Sequence, residues 1–261
     1  MPVCRAILLL LCAACAWGDV VYTFEAPTYA GSPPGPGGTG GTPLGGQNGW
    51  VTPSGYGDGL VYTYSGTGLT APLGGGSQFV AVKPGDEDEI GVLFAGSSEW
   101  AITFDVLVHS FSGSNYSAGS LYLFTSGAGY QIHAFPAVGT AGTWNAVYDV
   151  FNPNGSPLGY QDPGGGFDGL LMDQWYQEQI VLSTTSNQIL SVSINGATKD
   201  PTAWYLRGGA SAPFSVTGMG IYGIGTLGFD NISLDAVPEP ASWVFGLAGV
   251  AALCCLKGRR R

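Results

Sequence analysis

The run EWAITFDVLVHSF, residues 99–111, places Ile102, Phe104, Val106 and Val108 at every second position. In an extended chain successive side chains point to opposite faces, so these four share one face. In a helix the same spacing would scatter them around the axis. Nine further runs read as strands: 19–27, 59–65, 120–125, 129–135, 143–151, 175–183, 188–196, 214–224 and 227–237. Turn residues separate them, and Asn195-Gly196 suits a two-residue hairpin. Ten short strands at this spacing predict an all-β fold, an antiparallel β-sandwich or jelly roll.

Composition supports that class. The chain has 44 glycines and 17 prolines, only 10% charged residues, and enough apolar and aromatic side chains to build a core. Residues 31–49 are Gly or Pro at 13 of 19 positions, and they read as a long loop after the first strand. All five cysteines lie in residues 4–15 and 254–255, so no disulfide can brace the sandwich. Residues 19–237 carry three basic side chains (Lys83, Lys199, Arg207) against 17 acidic ones, a net charge of −14. Such a body cannot neutralise phosphates, which excludes nucleic acid as a partner and leaves divalent cations or neutral polymers.

The two ends read differently from the body. Arg5, the apolar run from Ala6 to Leu11 and the small residues after it have the pattern of a secretory signal peptide over 1–16. Cleavage is expected after Ala16, with Gly18 and a lipidated Cys15 as alternatives. At the other end, 241–256 is a 16-residue apolar run. As a helix it reaches ~24 Å, short of a ~30 Å hydrocarbon core. Lys257 and Arg259, Arg260 and Arg261 would hold its end on the cytoplasmic side, leaving the body outside. A plain C-terminal anchor would also fit. The order Pro238-Glu239-Pro240, short apolar segment, terminal arginines resembles the PEP-CTERM sorting signal of exported bacterial proteins. The resemblance implies an exosortase-type membrane processing enzyme as partner. It also implies a destination at the cell surface or in the exopolysaccharide matrix. The organisation expected is a leader at 1–16, a sandwich at 17–236 and a sorting segment at 237–261.

The body resembles concanavalin-like and laminin-G-like jelly rolls. The likeness is carried by Gly46-Gln47-Asn48-Gly49-Trp50, Trp175-Tyr176, Ser193-Ile194-Asn195-Gly196 and the final Gly228-Phe229-Asp230-Asn231-Ile232-Ser233-Leu234. In many carbohydrate-binding members a Phe-Glu early in the chain and an Asp in the last strand share a structural Ca²⁺, which here implies Glu25 and Asp230. Two solvated surface carboxylates would be the plainer reading, and both stand open. The run Asp86-Glu87-Asp88-Glu89 reads as a solvated acidic loop and lacks EF-hand spacing. Among the aromatics, Trp144 alternates into the core, whereas Trp204-Tyr205 is the best candidate for an exposed sugar-stacking pair.

Signatures of enzymes are missing: there is no His-Glu-x-x-His, no Gly-x-Ser-x-Gly and no zinc-like histidine spacing. A non-enzymatic surface or matrix protein is therefore expected. A Ca²⁺-stabilised carbohydrate-binding module and an atypical glycan hydrolase or lyase stand as the alternatives.

Overall fold

A computed structural model describes residues 20–33, 40–91, 99–111, 118–125, 129–211 and 215–237. The leader, the apolar run 241–256 and Pro238, Glu239, Pro240, Arg259, Arg260 and Arg261 lie outside the described residues. Among the described residues there is no α-helix, and none of the helical turns is long and apolar enough to cross a membrane.

In chain order the strands begin β1 (Val20–Tyr22), β2 (Thr42–Pro43), β3 (Trp50–Val51), β4 (Leu60–Thr63), β5 (Gln78–Val82) and β6 (Glu87–Gly91). They continue with β7 (Glu99–Ser110), β8 (Gly119–Thr125), β9 (Gly129–Val138), β10 (Thr143–Phe151), β11 (Pro157–Gln161) and β12 (Leu170–Leu171). The last are β13 (Trp175–Ser183), β14 (Gln188–Ile194), β15 (Ala197–Lys199), β16 (Val216–Gly223) and β17 (Thr226–Ala236).

Two antiparallel sheets form a sandwich of the jelly-roll class. One sheet runs β15-β14-β13-β7-β17-β5-β4-β2, with β1 also on β17; the other runs β11-β10-β9-β8-β16-β6-β3, with β12 on β10. The core lies between them because alternate side chains of both sheets are apolar. Ile102, Phe104 and Ile180 enter from the first sheet; Leu123, Trp144 and Met219 enter from the second, and all are buried. Strand β10 alternates buried and half-buried residues along its whole length. Between β14 and β15, Asn195 and Gly196 both take positive φ (46° and 83°), the conformation a tight primed hairpin turn requires.

The last strand sits in the middle of its sheet. One edge of β17 pairs with β7 from Thr226 to Ala236, with a register break between Asp230 and Ser233. Its other edge changes partner: Leu227 to Phe229 pair with β5, and Ile232 to Leu234 pair with β1. Asp230 and Asn231 fall in the interval between those partners, opposite a break in the β7 register. Val20 pairs with Leu234, and Val237 N donates to Glu99 O at 3.0 Å. The described chain therefore begins and ends at one pole of the sandwich.

Two sequence expectations need correction. The acidic run is not a solvated loop: Glu87–Glu89 lie in β6, where Glu87 and Asp88 are buried. Alternation of the carboxylates puts successive ones on opposite faces, and each finds a hydroxyl or amide donor. The Gly/Pro-rich stretch is interrupted by β2, which pairs with β4.

Candidate functional site

The face of the nine-stranded sheet turned away from the core carries a second apolar cluster. In LVYT, Val61 enters the core, while Leu60, Tyr62 and then Tyr64 point outward. They meet Phe79 and Ala81 of β5 and Trp175 of β13. The ring centroids of Phe79 lie 4.8 Å from Tyr64, 6.0 Å from Tyr62 and 5.8 Å from Trp175, the last edge-on. Gly228 is what lets this layer close: a Cβ there would sit 2.9 Å from the Trp175 ring.

Above this layer is an open groove of about 750 Å³, continued by a smaller one of about 390 Å³. Tyr62, Phe79 and Leu107 form its floor, and the loop through Thr67 and Leu69 forms one wall. That loop is held in place. Thr67 Oγ1 donates to Tyr64 O at 2.7 Å and accepts from Leu69 N at 3.0 Å. His109 and Asp173 stand on the opposite rim, with Nδ1 2.6 Å from Oδ1, and both are exposed. An apolar floor with a few polar groups at its edge is the general form of a ligand site.

Under one end of the aromatic layer lies the break in β17. Asp230 is completely buried there. Its Oδ2 accepts from Tyr64 OH at 3.0 Å, and its Oδ1 accepts from Asn231 N at 2.8 Å. Asn231 holds φ at 47° and donates through Nδ2 to Asp105 at 2.7 Å. Burial pushes the Asp230 carboxyl up to about 7; the two donors oppose the shift, and the charges of Asp105 and Glu25 add to it. Tyr64 is raised by the same burial and by Asp230.

Sequence reasoning paired Glu25 with Asp230, and the fold brings them within electrostatic reach of each other. The chain leaves β1 just where β5 begins, so Glu25 accepts from Ser77 N, Ser77 Oγ and Gln78 N at 2.7–2.8 Å. Of the two open readings, that of two solvated carboxylates fails for Asp230. The neighbouring Gln78 is also buried, and its Oε1 has no donor. A Cβ at Gly31 would collide with that amide. An all-oxygen set with an unsatisfied acceptor suits a hard cation such as Ca²⁺. Among the described residues no three His, Cys, Asp or Glu side chains converge, so Gln78 and backbone oxygens would have to complete the shell.

Trp204 and Tyr205 are not a free platform. Both are half-buried; Trp204 packs on the core 5.8 Å from Tyr148, and Tyr205 bridges Phe151 and Gln188. The segment looks loop-like in sequence, but its backbone is stitched to two strands. Trp50 is buried and donates to Tyr29 OH. Of the residues that do line the outer face, Tyr62 was signalled by apolar residues at both phases of LVYTYS and Trp175 as an aromatic opening a strand, whereas Phe79, in QFVAV, was not singled out.

Other buried acids lie elsewhere, Glu178 and Asp88 among them. Glu178, inside the core, accepts from Tyr148 OH at 2.5 Å, and burial raises it to about 7. Asp88 accepts from Gly59 N at 2.6 Å, while Thr52 Oγ1 lies 2.8 Å from Asp88 and 2.7 Å from Asp58. One hydroxyl proton cannot serve both carboxylates. Burial, with the Asp58 charge adding to it, raises Asp88 to about 7.

Residues 236–261 match the PEP-CTERM protein-sorting motif. This chain carries a PEP-CTERM tail. The motif marks it for export and for membrane-associated processing by an exosortase at the cell envelope. No curated protein matches the sequence. Among solved structures, the chain is similar to the cellulose induced protein Cip1 (15% identity, TM-score 0.45, 72% of this chain and 90% of that one). It is similar to the globular domain of T. cruzi calreticulin (12%, 0.43, 82% and 96%). An alginate lyase from Chlorella virus gives 12%, 0.42, 73% and 94%.

Proposed function

We propose that this is a non-enzymatic surface or matrix protein of a bacterium, whose sandwich holds a glycan in the groove over Tyr62 and Phe79. One observation carries the reading: a pre-formed groove with an aromatic floor and polar rims, on an exported chain. Flat rings suit the C–H faces of pyranoses, and rim groups such as His109, Asp173 and Thr67 suit their hydroxyls.

The layout of β17 agrees with it. Gly228 lies in the groove and Ala236 opens the PEP-CTERM match, eight residues or roughly 26 Å along the strand. A tethered sandwich would hold its groove on the side away from the tail. A glycan array probed with the full chain in detergent tests the reading. Binding that Leu69→Asp abolishes supports it; an empty array refutes it. Release of shortened products from a bound glycan would refute the non-enzymatic part.

The unsatisfied Gln78 Oε1 beside Glu25 and Asp230 favours a second element of the reading, a structural Ca²⁺. It would tie the start of β5, the exit from β1 and the break in β17 together.

A further inference from the structure

We infer that the groove selects neutral glycans and rejects those carrying uronic acid carboxylates, an inference that rests on the glycan-binding reading above. The charges around the groove decide this. Among the described residues lining it, the groups that can be cationic are Lys83 and His109. His109 is already matched by Asp173 at 2.6 Å. Lys83 stands beside Asp86: its backbone N donates to the Asp86 carboxylate at 2.8 Å, and its charge acts on that carboxyl.

The remaining charges near the groove are negative. Asp173 is exposed on the rim, and Asp105, which accepts from Asn231, lies under Tyr64 at one end of the aromatic layer. The body around them is at −14. A sugar carboxylate laid in this groove would lose water and meet only Lys83 and His109, each of which already faces an aspartate, and desolvating a poorly paired charge is strongly unfavourable. The hydroxyls of a neutral sugar carry no such penalty. They can donate to the Asp173 carboxylate and exchange hydrogen bonds with Thr67 and Thr226, while the ring face covers Tyr62, Phe79 and Leu69.

The test uses matched pairs with one backbone and one difference. The full chain in detergent is titrated with hexasaccharides of glucose, galactose and mannose and with the corresponding glucuronate, galacturonate and mannuronate hexamers. The expected result is binding of at least one neutral member, with its uronate at least tenfold weaker at low ionic strength and the gap narrowing as salt is added. Asp173→Lys should narrow the gap while the thermal transition stays cooperative. Leu69→Asp, on the loop rather than in a strand, should weaken the neutral ligand. Equal or tighter binding of the uronate overturns the selectivity and leaves glycan binding standing. A panel on which no hexamer binds overturns both.

Discussion

Tyr64, in the loop after β4, donates a 3.0 Å hydrogen bond to Asp230 of β17, a residue 166 positions away in sequence. The bond joins the two parts of the outer face. Tyr64 belongs to the aromatic layer beneath the groove, and Asp230 fills the interval where β17 changes partner. An unpaired carboxylate there would be costly, and the phenol and the Asn231 amide together satisfy both of its oxygens.

The first prediction is an inverted pH dependence of stability. Asp230, Asp88 and Glu178 are each held up at about 7 by burial. In the unfolded chain such carboxyls lose their protons near pH ~4. Between those values the folded state binds more protons than the unfolded one, so stability is full below about pH 4 and is lost as pH rises through about 7. In EDTA, Tm should fall between pH 5 and pH 8, and Asp230→Asn with Glu178→Gln should flatten the fall. A Tm that climbs over that range would contradict the assignment.

A second prediction concerns the core. Tyr148 OH is the hydrogen-bond donor found for Glu178, and removing it strands a buried acceptor. Tyr148→Phe should destabilise the protein by about 1–3 kcal/mol at pH 8 in urea unfolding, and by less at pH 5, where the acid keeps its proton. Equal losses at both pH values would show that Glu178 is not the partner that matters.

Calcium gives the third. If Ca²⁺ binds at Glu25, Gln78 and Asp230, adding it in millimolar amounts at pH 8 should raise Tm, and EDTA should reverse the gain. Glu25→Gln should remove the response. Mg²⁺, which is smaller and holds its waters, should act weakly. A Tm indifferent to Ca²⁺ removes the proposal.

The tail supplies the fourth. Replacing Arg259, Arg260 and Arg261 with Asp reverses the charge that the positive-inside rule expects to orient the apolar run. Unprocessed precursor should accumulate in the membrane fraction, as read by immunoblot against the sandwich. Normal maturation of that variant would show that the basic cluster is dispensable for sorting.

Much of the fold was legible because its long strands alternate. Residues 99–111, 143–151 and 175–183 each have one apolar face, and they became β7, β10 and β13 nearly to the residue. β6 was hidden because four consecutive carboxylates mimic a solvated loop. β2, β3 and β12 are two residues each, too short for any period to register. The site was less legible than the fold. Glu25 and Asp230 were paired from a family likeness, but the aromatic floor was not seen, since Tyr62 and Phe79 meet only after β4 and β5 pair.

By itself the sequence determined the class of fold and the address. Period-two patterning makes strands wherever they lie, and a sorting tail is read as a linear string. Tertiary structure decided the rest. Only the insertion of β17 between β7 and β5 buries Asp230 beneath Tyr64, and only the fold of the β4–β5 loop walls a groove over rings from three strands. Those are distances between residues far apart in sequence, and no local pattern encodes them.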